Sequence, residues 1–151
     1  MRRKGWQSRS GVDQRPSMNF KSVPLPIAQL SLAAVLKCGQ SFRWQTLTAP
    51  GNSVDSDEYR FCLKDRVVCL RQSLDTLYYR SVFPDPQPTA ALLHKRDEET
   101  FHWLIDYFQL KVDLLELYKQ WASKDEVFAS FQERFKGIRI LRQDPWENLV
   151  S

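Results

Sequence analysis

Up to Phe83 the apolar residues of this 151-residue chain tend to alternate with polar ones, and beyond the proline-rich FPDPQPTAA they recur at helical spacing. A strand turns its side chains to opposite faces at every step, whereas a helix repeats a face every third or fourth residue. The order of the two patterns predicts a sheet followed by helices, an α+β layout. With 42% hydrophobic residues, including five Trp, five Tyr and nine Phe, the chain has the apolar mass to bury a core.

Within the first pattern, SVPLPIAQL reads as an extended proline segment. It leads into a short helix with Ser31 as N-cap, Leu32, Val35 and Leu36 as its apolar stripe, and Gly39 as the left-handed residue that stops it. CGQSFRWQ follows, with Phe42 and Trp44 expected on the inner face of a strand and Arg43 on the other. After the turn-rich TAPGNSVDSDE, residues 59–63 and 67–71 form a predicted hairpin, and 76–83 a fourth strand. Four strands in succession suggest an antiparallel meander.

In the second pattern Phe101, Leu104, Ile105 and Phe108 share one helix face. Asp113 with Glu116 and Ser123 with Glu126 are capping-box patterns ahead of two further helices, and Gly137 is a stop signal. The aromatic residues of these helices read as core. In RQDPWENLVS, Asp144 is an N-cap, Pro145 suits the first helical position, and Leu149 and Val150 begin an apolar face that Ser151 cuts short. A helix start without a helix suggests a truncated piece.

The formal charge of +4 is unevenly placed. Residues 1–21 hold six Lys or Arg against Asp13 alone, a local +5 that leaves the remainder at −1. An electrostatic case for nucleic acid therefore rests on the tail or on a local patch. The tail lacks the continuous apolar stretch of a secretory signal or a membrane span, and its Arg- and Ser-rich composition suits a nuclear arm or a mitochondrial presequence. Cys38, Cys62 and Cys69 form no CxxC or Cys/His ligand pattern with His94 or His102. They are read as reduced, mostly buried thiols, and neither a metal nor a cofactor is expected.

Three stretches in fixed order, GQSFRW at 39–44, YFQLKVD at 107–113 and RILRQDP at 139–145, make the chain from about Pro24 onward similar to the N-terminal part of eukaryotic 8-oxoguanine DNA glycosylases. The basic tail over 1–21, which the resemblance does not cover, is read from its composition as disordered. The resemblance implies a TATA-binding-protein-like antiparallel α+β domain over 22–94. Residues 95–151 would then be the first helices of an incomplete all-helical glycosylase domain. It also implies that Gly39 offers its backbone carbonyl to the flipped-out lesion base. Oxidised guanine carries a hydrogen on N7 where guanine has a lone pair, so one carbonyl acceptor distinguishes the two bases. Gln40 and Ser41 are expected to shape this loop, and Arg43, Arg139 and Arg142 to lie on the surface or in salt bridges.

In that family a lysine amine attacks the sugar C1′ and an aspartate assists, and both lie downstream of RQDP. Lys124 and Lys136 stand in no comparable context. The resemblance therefore implies a fragment of a bifunctional DNA glycosylase/AP lyase, inactive alone and without catalytic residues of its own. The parent would act as a monomer on duplex DNA containing oxidised guanine, in the nucleus, with the mitochondrion left open as a second compartment. A noncatalytic DNA-binding or protein-interaction module is the alternative.

Overall fold

A computed structural model describes residues 20–48, 57–84 and 89–150. The basic tail to residue 19, most of the TAPGNSVDSDE loop, part of the proline-rich break and Ser151 lie outside the described residues. Strands β1 (Lys21–Pro24), β2 (Gln45–Leu47), β3 (Glu58–Leu63), β4 (Arg66–Gln72) and β5 (Thr76–Val82) form one antiparallel sheet in the order β1-β5-β4-β3-β2. The expected meander is its main body. β1, read in the sequence as an extended proline segment, pairs with β5 from Lys21↔Tyr79 to Pro24↔Thr76. Proline lacks an amide donor, which suits Pro24 to the last position of an edge strand.

The inner face of the sheet is set by the registers Tyr59↔Leu70↔Tyr79 and Phe61↔Val68. It is covered by α1 (Leu32–Lys37) and α2 (Ala90–Tyr107). Leu32 and Val35 of α1 and Leu104 of α2 are fully buried, as is Phe108 just beyond it. Each such side chain contributes on the order of 1.5–3 kcal/mol by leaving water. α2 runs across the boundary expected after residue 94. Its Phe101 stacks on Tyr79 of the sheet with centroids 5.7 Å apart, and its Trp103 packs 5.3 Å from Phe61. Strands and helix thus share one core.

On the outer face Glu58, only 4% exposed, accepts hydrogen bonds from Arg60, Arg71 and Arg80 at 2.6–3.3 Å. Burial pushes its carboxyl pKa up, but the hydrogen bonds from Arg60 and Arg71 together with the charges of Arg60 and Arg80 outweigh burial and hold it below the ordinary value. Cys69 is buried on this face, whereas Cys38 and Cys62 are exposed, so the expectation of mostly buried thiols fails. Cys38 caps the end of a helix only six residues long, and Cys62 lies on the outward side of β3.

α3 (Leu114–Ala122) begins as expected, with Asp113 accepting from the Glu116 amide at 3.1 Å. α4 (Glu126–Phe131) is capped by Asp125, which accepts from the Phe128 amide at 3.0 Å, and not by Ser123, which instead ends α3. An aspartate two residues further on caps the helix through the Phe128 amide, so the helix starts later, and Ser123 is left to hydrogen-bond the Gln120 carbonyl. Tyr118, Trp121, Phe128, Phe131 and Phe135 form a chain of mostly edge-to-face contacts. Trp121, Phe131 and Phe135 remain 39–51% exposed, so this is a peripheral cluster and not the core expected for them. α5 (Pro145–Val150) starts under Asp144, whose carboxylate accepts from the Trp146 amide at 2.9 Å. Its outward Trp146, Leu149 and Val150 are 63–75% exposed.

Candidate functional site

α1 opens as the sequence predicts, with the Ser31 hydroxyl accepting from the Ala34 amide at 3.3 Å. It closes at Cys38, and Gly39 follows at φ +86°, in the left-handed region that costs a side-chain-bearing residue about 1–2 kcal/mol. Gly39 is exposed, and a Cβ built on it would meet nothing within 4 Å. Among the described residues no backbone group donates to its carbonyl. Gly137, also left-handed at φ +79°, is the opposite case: a Cβ there would lie 2.1 Å from the Ile27 carbonyl oxygen and 2.8 Å from the Ser31 nitrogen.

The three sequence stretches meet beside Gly39. The Gln40 side-chain amide donates to the Arg139 carbonyl at 2.9 Å, and its Oε1 accepts from the Leu141 amide at 2.9 Å, much as a neighbouring strand would. The Gln109 side chain donates to the Ile140 carbonyl at 2.8 Å, and the Arg142 amide donates to the Tyr107 carbonyl at 2.8 Å. GQSFRW, YFQLKVD and RILRQDP are thus stitched together through residues 139–142.

Arg139 corrects the expectation of a surface or salt-bridging arginine. It is 5% exposed, and its guanidinium donates to the Gln29, Gln109 and Val112 carbonyls and to the Gln29 side chain. Burial lowers its pKa, partly countered by Asp113 and Tyr118. A planar fork with five donors can close three loop ends at once, which a lysine could not.

The other two arginines are salt-bridged. Arg43 reaches Glu147 of α5 at 3.0 Å, donates to the Cys62 carbonyl at 2.7 Å and lies over the Phe61 ring. Arg142 pairs with Asp106 at 2.7 Å where both are largely exposed, a contact worth little to stability. Ser41 is buried and donates to Glu147 at 3.3 Å. Trp44 is buried as expected, its indole donating to the Tyr107 hydroxyl at 3.0 Å. Burial pushes the Tyr107 phenol pKa up, while hydrogen bonding with Trp44 and Ser41 pulls the other way.

Phe42 is 74% exposed, contrary to its expected place in the core. β2 begins only at Gln45, so residues 41–44 follow an irregular path and the alternation does not apply to them. A cleft of about 560 Å³ between α2, α5 and the β3–β4 turn is lined by Arg43, Phe61, Trp103, Tyr107, Arg142 and Trp146 among others, and does not include Gly39. Lys136 is paired with Glu133 at 2.6 Å. Among the described residues no cluster of His, Cys, Asp or Glu could hold a metal ion, and no helix is long and apolar enough to cross a membrane.

Known proteins are similar to this chain in sequence and in architecture. An N-glycosylase/DNA lyase of Saccharomyces cerevisiae is 33% identical over 141 residues, covering 89% of this chain and 34% of that protein. An N-glycosylase/DNA lyase of Arabidopsis thaliana is 29% identical over 125 residues, covering 82% and 30%. The chain therefore spans about a third of the length of these curated relatives. Among solved structures, MBOgg1 in complex with a low-affinity DNA ligand is 29% identical, with a TM-score of 0.56 over 87% of this chain and 40% of that one. The apo-form of the Clostridium acetobutylicum 8-oxoguanine glycosylase/lyase, 24% identical and covering the same shares, shows the same fold at a TM-score of 0.59. A family model described as "8-oxoguanine DNA glycosylase, N-terminal domain" matches residues 22–149, and the chain belongs to that family.

Proposed function

We propose that this chain is the N-terminal part of a bifunctional DNA glycosylase/AP lyase that removes 8-oxoguanine from duplex DNA, and that Gly39 reads the lesion. The observation that carries the reading is the junction of the three sequence stretches beside Gly39. It holds a left-handed glycine in an exposed position with open space around it. Such a carbonyl can approach a flipped-out base closely. It attracts an N7 hydrogen and repels an N7 lone pair, which separates the oxidised base from guanine.

The parent's chemistry requires a lysine amine to form a bond to C1′ as the glycosidic bond to the base breaks, giving a Schiff base that permits β-elimination. This chain supplies the reader and the scaffold, acts on nothing alone, and belongs to a monomeric nuclear enzyme. Borohydride trapping on an 8-oxoguanine:cytosine duplex tests the assignment. The parent is expected to give a covalent adduct and the 151-residue chain none. An adduct with the chain would overturn its inactivity, and failure of the parent to form one would overturn the lyase assignment.

A further inference from the structure

We infer that Gln40 is the positioning residue that sets the direction of the Gly39 carbonyl, an inference that rests on the lesion-reading role proposed for Gly39. The Gly39 carbonyl lies in the peptide plane that also contains the nitrogen and Cα of Gln40. Whatever fixes Gln40 therefore fixes the carbonyl. Packing does not do so, because the space where a Gly39 side chain would stand is open, and glycine restrains its own backbone least of all residues.

The Gln40 side chain supplies the restraint. Its amide closes two 2.9 Å bonds to backbone groups 99 and 101 residues away, at Arg139 and Leu141, and also donates to the Cys38 sulfur at 3.2 Å. The anchor is itself rigid. Arg139 is clamped to three carbonyls, the Ile140 carbonyl is held by Gln109, and the Arg142 amide is held by Tyr107. The restraint runs from α2 through 139–142 and Gln40 to the reading carbonyl. A glutamate at position 40 has nearly the same size and could still accept from the Leu141 amide, but it sets a carboxylate oxygen against the Arg139 carbonyl. A methionine keeps the length and loses both bonds.

The test is the binding preference of the parent enzyme for an 8-oxoguanine:cytosine duplex over a guanine:cytosine duplex, measured for Gln40→Glu, Gln40→Met and Gly39→Ala beside the wild type. A misplacement of about 1 Å in a positioned group can cost as much as about a hundredfold. The preference is therefore expected to fall about tenfold or more in both Gln40 variants, with affinity for the guanine duplex retained. A purely structural role would weaken binding to both duplexes equally and leave their ratio unchanged. If the ratio is unchanged in the Gln40 variants but falls in Gly39→Ala, the Gln40 inference is overturned and the Gly39 reading stands. If it is unchanged in all three, both are overturned. Gln40→Glu, which removes no volume, keeps the test decisive if Gln40→Met fails to fold.

Discussion

Gly39 and Gly137 share a backbone conformation but answer to different demands, and alanine at each position separates them. At Gly137 the left-handed φ costs about 1–2 kcal/mol for any residue with a Cβ. The new Cβ would also sit 2.1 Å from the Ile27 oxygen and 2.8 Å from the Ser31 nitrogen. The chain must therefore move where the Ser31 amide now donates to the Gly137 carbonyl at 2.8 Å. Losing that bond costs about 1 kcal/mol. Displacing Ser31 weakens the cap of α1 by about 1 kcal/mol more. The sum is about 3–4 kcal/mol, among the larger single-residue effects.

At Gly39 only the conformational cost of about 1–2 kcal/mol applies, because no atom stands in the way. Urea unfolding followed by tryptophan fluorescence reads both. With a slope near 2 kcal/mol per M, Gly137→Ala should lower the midpoint by about 1.5–2 M and Gly39→Ala by about 0.5–1 M. A Gly137→Ala midpoint within about 0.5 M of wild type, or a Gly39→Ala loss exceeding it, would refute this reasoning.

Three other perturbations have defined outcomes. Glu58→Gln removes the carboxylate that three arginines share and should cost about 1–2 kcal/mol at pH 7, because two of those arginines, Arg60 and Arg71, are about half exposed and remain hydrated. Because the Glu58 pKa is depressed in the folded state, its contribution is present above the unfolded value of 4.5 and is lost as pH falls through the folded one. The stability gap between wild type and variant should therefore close in acid, and a gap constant from pH 7 to pH 3 would contradict the assignment. Arg139→Lys should cost about 3 kcal/mol in the same unfolding assay, since a single ammonium cannot reach all the carbonyls that the guanidinium serves. Trp44→Phe keeps an aromatic ring at this position but removes the indole that donates to the buried Tyr107 hydroxyl, and should lower stability by at least about 1–2 kcal/mol.

The sequence makes local chemistry legible and long-range stitching opaque. Ser31, Asp113 and Asp144 cap their helices because a cap depends on donors within three residues, all visible in the string. The same locality explains the error at α4, where Ser123 and Asp125 compete over a two-residue window and the aspartate wins. β1 has too few residues to show alternation, and the edge it joins lies beyond β5, over fifty residues later. Phe42 misleads because alternation presumes a strand, and the path from Ser41 to Trp44 is set by Glu147 and Tyr107 instead. Gly39 is conspicuous in the sequence as a glycine at a helix end. What holds the next residue, the pairing of Gln40 with positions 139 and 141, has no local signature, and neither has the burial of Arg139. Only the ordered recurrence of three family-like stretches hints that they meet.

The central claim is that the Gly39 carbonyl accepts the hydrogen that oxidation places on N7 of guanine. Its most direct test is the crystal structure of the parent enzyme, made catalytically inert, bound to a duplex containing 8-oxoguanine opposite cytosine. N7 of the extruded base is expected within about 2.7–3.2 Å of the Gly39 oxygen, with the N–H directed at it. A base bound with N7 beyond about 3.5 Å from that oxygen, or with its hydrogen given to another acceptor, would contradict it.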